Sequence, residues 1–155
     1  MKDYLDNVKN ELKRVDHIIY VSLKYTRTVD VIKHALDRMI SAFDFGIEAL
    51  LQKVKRRRKT LEIPDQPLKK CELVRTLYKD DQKLSEFMDF YMLLRILSKA
   101  EYTKREEYRR HVTMIAKVDV RTVEVSIDVL HEYEKMMKDF VEYIEQLLGL
   151  AEEKL

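Results

Sequence analysis

From Lys2 to Tyr25 the apolar residues fall at Leu5, Val8, Leu12, Val15, Ile19 and Leu23. Steps of three and four in alternation trace one stripe down an amphipathic helix. The β-branched residues of Tyr25-Thr26-Arg27-Thr28-Val29 weaken helix propensity there, and Thr28 is a candidate N-cap with Asp30 in the following turn. A second stripe then runs through Val29, Ile32, Leu36, Met39, Ile40, Phe43, Ile47, Leu50, Leu51 and Val54. The pattern predicts an αα-hairpin over 2–58, with helices near 2–25 and 28–58; one unbroken helix is the alternative. Gly46, inside the second helix, predicts close helix packing, since glycine there costs about 1 kcal/mol against alanine.

Pro64 and Pro67 bias their predecessors away from helix, so 59–67 reads as a connector. A helix over 67–79 follows, with Leu68, Cys71, Val74 and Tyr78 inward. Asp80 or Asp81 caps another over 81–103. Its apolar set, Leu84, Phe87, Met88, Phe90, Tyr91, Met92, Leu93, Leu94, Ile96 and Leu97, covers nearly the whole circumference. Such a helix is buried on most sides, as the central element or the one that meets a second copy. The period changes after Tyr108. Val123, Val125 and Ile127 alternate with Glu124 and Ser126, so 108–127 reads as a hairpin turning near Asp119, or as irregular structure; a helix over 110–127 stays open because the turn has no glycine. The hairpin must pack on the helices or pair with another chain's edge. Asp128 is the expected cap of a final helix over 129–152. The expected fold is therefore mainly α: one antiparallel bundle of about five helices with a small β-hairpin inserted before the last.

Composition supports this and narrows the chemistry. The 155 residues include two glycines and two prolines, too few for the frequent tight turns of a sandwich or barrel. Glycine-rich phosphate loops and nucleophile elbows are excluded with them. Cys71, the single cysteine, forms no internal disulfide. Asp89, Arg95 and Lys99 interrupt the most hydrophobic stretch, and the charged start has no apolar run, so a soluble cytoplasmic protein without a membrane partner is expected. Few amides against many charges is also a hyperthermophile composition, although the seven methionines run against it.

The net charge of +2 is unevenly distributed. Lys53, Lys55, Arg56, Arg57, Arg58 and Lys59 form a cluster without one acid, while the final segment is acidic. The cluster is a candidate contact for RNA, DNA or an acidic protein surface, through neutralised phosphates and released counterions. Its plainer role is to complement the negative end of the second helix. Lys104, Arg105, Tyr108, Arg109 and Arg110, with His111 and Tyr102 nearby, form a second candidate in which tyrosines stack on bases.

No metal or cofactor motif accompanies these residues. Asp128-x-x-His131 is the nearest approach to the Glu-x-x-His of di-metal bundles; Asp30, His34 and Asp37 lie off the apolar stripe, and His17 follows Asp16 beside it. Arg105 and His111, with five residues between them, and Arg27 and His34, with six, are similar to the Arg–His pair of the HEPN superfamily of helical-bundle ribonucleases. That resemblance implies a metal-independent ribonuclease in which the histidine moves a proton at the 2′-hydroxyl and the arginine stabilises charge on the phosphate. The expected function is binding rather than catalysis, with a homodimeric adaptor and the ribonuclease as alternatives.

Overall fold

The computed structural model describes residues 2–149. Helix α1 runs over Lys2–His17 and continues through a π-helical turn, Ile18–Ser22, and a last turn, Leu23–Tyr25. The chain then breaks, as the β-branched run predicts: Thr26 is extended, and Thr28 caps α2 (Val29–Arg57), its Oγ1 accepting from the Val31 N–H at 3.4 Å. Pro67 opens α3 (Pro67–Leu77) in the first turn, where its missing N–H costs nothing. Asp81 caps α4 (Gln82–Lys99) by accepting from the Leu84 N–H at 2.9 Å.

Two expectations change at this point. Helix α4 stops at Lys99, short of 103, because Ala100 turns extended and Tyr102–Arg105 forms a strand, β1. The hairpin is thus the larger part of a three-stranded antiparallel sheet, with β2 (Thr113–Val118) between β1 and β3 (Arg121–Ser126). Tyr102 pairs with Ala116 and Arg105 with Thr113 across the first ladder; Thr113 pairs with Ser126 and Val118 with Arg121 across the second. The turn near Asp119 forms without glycine because Asp119 itself takes the left-handed conformation, φ 58°, which Asp tolerates better than most residues.

Helix α5 (Ile127–Leu148) begins before Asp128: Ser126, not the expected aspartate, is its N-cap and accepts from the Val129 N–H at 3.2 Å. It closes on Gly149 in the left-handed conformation, φ 69°, the usual glycine cap. Residues 150–152 of the expected helix lie outside the described residues.

The core is organised around α2, which packs against α1, α3, α4 and α5; the more apolar α4 is not the centre. Most of α4's apolar set is covered within the chain, with Ile96 exposed beside Asp89 and Lys99. Phe43 of α2 stacks on Phe140 of α5 at 4.2 Å between centroids, and Phe87 meets the same ring edge-on. Gly46 permits this contact, since a Cβ there would lie 2.7 Å from Phe140. The order of these contacts, Phe43 and Gly46 on Phe140, then Lys53 on Leu147, makes α2 and α5 parallel rather than antiparallel. The return path is carried by α3, α4 and the sheet. No helix among the described residues is long and apolar enough to cross a membrane.

Candidate functional site

The parallel arrangement gathers chemistry at one end of the bundle. The loop after β1, residues 106–112, folds back on the joint between α1 and α2 and is tied there. The Glu107 carboxylate accepts from the Val29 N–H at 3.1 Å, filling an open donor at the start of α2, and its other oxygen lies 3.3 Å from the Lys104 ammonium. The Tyr108 N–H donates to the Arg27 carbonyl at 2.6 Å. Arg109 N–H to Glu106 O and Val112 N–H to Arg109 O, both 3.1 Å, tighten the loop on itself. Glu106 and Tyr108 hold left-handed backbones, φ 53° and 67°.

This bracing forms a cleft of about 590 Å³ whose lining includes Arg27, Arg105, Arg110, His111, Thr113, Glu124 and the first turn of α5. Arg105 is paired with Glu124 across the sheet. Arg27 and Arg110 have no carboxylate partner among the described residues, and the Arg27 Nε is buried with nothing to donate to. Glu106 and Asp128 complete the polar wall. Three guanidiniums thus face three carboxylates, with the His111 imidazole among them. Such a set can hold a phosphate bidentately and has an imidazole available for proton transfer.

Of the second candidate cluster, Arg105, Arg110 and His111 enter the cleft. Tyr108 and Arg109 stand exposed on its loop. Lys104 serves the clamp, its pKa raised by Glu107 first and Asp30 next. Tyr102 is half-buried beneath the Lys33 ammonium, 4.8 Å from the ring centroid. Arg105 and His111 therefore share one site. Arg27 joins them, whereas His34 faces a separate groove with His17 and Arg38. The sequence did not reveal that Arg27, Glu124, Thr113 and Ser126 converge on it.

The first cluster is divided. The Lys53 ammonium donates to the Leu147 carbonyl in the last turn of α5, and Lys55 donates to Leu61 O in the connector at 3.0 Å, so both are engaged within the fold. Arg56, Arg57, Arg58 and Lys59 are exposed and make no ion pair among the described residues. They lie at the far end of α2, about 40 Å from the cleft at roughly 1.5 Å per residue. The two clusters are not one surface.

Elsewhere, Glu134 of α5 is 2% exposed against Asp16 and Tyr20 of α1, beside the π-helical turn, and its Oε2 has no partner. Burial, reinforced by the neighbouring Asp16 carboxyl, pushes its pKa up to about 7, against the pull of Lys138. Burial also raises the Cys71 thiol, against the pull of Arg75, so this cysteine is a packing residue rather than a nucleophile. No group of three or more His, Cys, Asp or Glu side chains arranged to hold a metal occurs among the described residues. The chain matches no protein-family model, no curated protein and no solved structure.

Proposed function

We propose that the protein binds the phosphodiester backbone of a nucleic acid in the cleft between the loop after β1 and the start of α5. The observation that carries this reading is the pair of unpartnered guanidiniums, Arg27 and Arg110, facing one pocket with Arg105 and His111. A buried guanidinium N–H without an acceptor costs more than a surface charge, and a phosphate oxygen satisfies it. The first turn of α5 adds the positive end of a helix dipole.

Fluorescence anisotropy with a short labelled RNA tests it. Affinity is expected to fall steeply with salt and to drop at least about tenfold in Arg27→Ala combined with Arg110→Ala, the loss of two charge-assisted contacts. Unchanged affinity in that variant refutes the cleft as the site.

The shared placement of Arg105 and His111 favours a second reading, that bound RNA is also cleaved. His111 would then take the 2′-hydroxyl proton as the 2′-oxygen attacks phosphorus and return it to the 5′-oxygen that departs, leaving a 2′,3′-cyclic phosphate, while Arg105 meets the phosphate charge. Cleavage persisting in chelator and lost in His111→Ala supports it; an intact RNA after long incubation with the wild type excludes it.

A further inference from the structure

We propose that the ligand of the cleft is single-stranded and that Tyr108 is the platform on which one unpaired base stacks, an inference that rests on the cleft being a phosphodiester site. Tyr108 is 78% exposed, makes no aromatic contact and no side-chain hydrogen bond among the described residues, and packs against no part of the core. Yet its backbone is held left-handed, φ 67°, a conformation costly for a residue with a bulky side chain. Nothing in the fold asks for an aromatic ring at this position; glycine or asparagine would suit the turn better.

The backbone that carries the ring is nonetheless firmly placed. Its own N–H is fixed to Arg27 at 2.6 Å, the residue before it clamps the start of α2, and the residue after it closes a turn on Glu106. An exposed aromatic on a fixed backbone loses little freedom when a base covers it, which favours stacking. Its chain neighbours complete the site: Arg109 exposed beside it and Arg110 in the cleft wall, so one nucleotide's base and phosphate find partners on consecutive residues. Tyr102 is the other tyrosine of this segment, and Lys33 already covers its face. In a duplex both faces of every internal base are taken by its neighbours, so a ring of this kind selects unpaired strands.

The experiment compares a short labelled RNA of mixed sequence, alone and annealed to its complement, by anisotropy at low salt, with circular dichroism to confirm folding. Wild type is expected to bind the single strand at least about tenfold more tightly than the duplex. Tyr108→Ala is expected to weaken single-strand binding by about 5- to 150-fold, the span of one base–aromatic stack, and to leave duplex binding unchanged. Tyr108→Phe should restore it, because stacking needs the ring and not the hydroxyl. Arg110→Ala should weaken both forms alike. Single-strand binding that survives Tyr108→Ala but falls in Arg110→Ala overturns the platform and leaves the cleft reading intact, as does a duplex bound as tightly as the single strand. No binding of either form by the wild type overturns both.

Discussion

Glu134 makes the stability of this protein fall as the pH rises through neutrality. Its carboxyl is buried between α1 and α5 beside Asp16, and its pKa stands at about 7 against an ordinary 4.5. The folded state therefore holds this proton more tightly than the unfolded chain does. Its contribution is complete below about pH 4.5 and is lost as the pH climbs through about 7. At about 1.36 kcal/mol per pKa unit the upper bound is roughly 3 kcal/mol. Asp16 is only half-buried and Lys138 is exposed at 3.9 Å, so solvent screens part of this and about 1–3 kcal/mol remains. Glu134→Gln keeps the shape and an N–H donor toward Asp16 but cannot ionise. Urea unfolding across pH 5 to 8 should show the wild type losing stability and the variant holding it, with the variant ahead at pH 8 by that margin, or roughly 3–10 °C in melting temperature. Subtracting the two curves removes other titrating groups, such as Asp44, raised by its own burial against the pull of Tyr91, Arg95 and Lys70. Parallel curves, or a Gln variant less stable at pH 8, would refute the assignment of the proton to this pair.

Gly46→Ala should destabilise the fold by about 1–2 kcal/mol in urea: the clash with Phe140, whose ring is confined by Phe43 and Phe87, outweighs the roughly 1 kcal/mol of helix propensity gained. Tyr108→Gly should do the opposite, raising stability by about 1 kcal/mol through relief of the left-handed backbone while losing single-strand affinity, a pairing readable in one melt and one titration. Lys53→Met should cost about 0.5–1.5 kcal/mol by leaving the last turn of α5 with an uncapped carbonyl, seen as a lower urea midpoint. Replacing Arg56, Arg57 and Arg58 together by glutamine should change RNA affinity at the cleft by less than about twofold at moderate salt, because the two sites lie several Debye lengths apart; a larger loss would place the interface at that end of the molecule instead.

The helices were legible because each carries its own signal in neighbouring residues: a stripe in steps of three and four, Thr28 and Asp81 at caps, Pro67 in a first turn, Gly46 under an aromatic ring. Strand β1 was not legible. Its four residues, Tyr102–Arg105, continue a helical pattern without a glycine or proline to stop it, and only the ladder to Thr113–Ala116 turns them into a strand. The start of α5, set by Ser126 rather than Asp128, has the same origin, since the paired strand β3 delivers the chain to the helix two residues early. The cleft was half legible. Arg105, Arg110 and His111 lie together in sequence, but Arg27 reaches them across most of the chain through a main-chain hydrogen bond to Tyr108 that no local pattern encodes.

One feature of topology accounts for where the charges fall. Because α2 and α5 run parallel, both carboxyl-terminal ends lie at one end of the bundle, where Lys53 meets the Leu147 carbonyl in the last turn of α5 and Lys55 the Leu61 carbonyl of the connector after α2. Both amino-terminal ends lie at the other. There Glu107 supplies α2 with the negative charge its dipole favours. Helix α5 has Ser126 and Asp128 of its own, but the groups brought to it from the rest of the chain include Arg27, Arg105 and Arg110. Cations beside the positive end of a helix are unfavourable, and Glu124 offsets only Arg105. On the phosphate reading proposed above, an anion held between Arg27, Arg110 and the first turn of α5 would meet positive charge from all three.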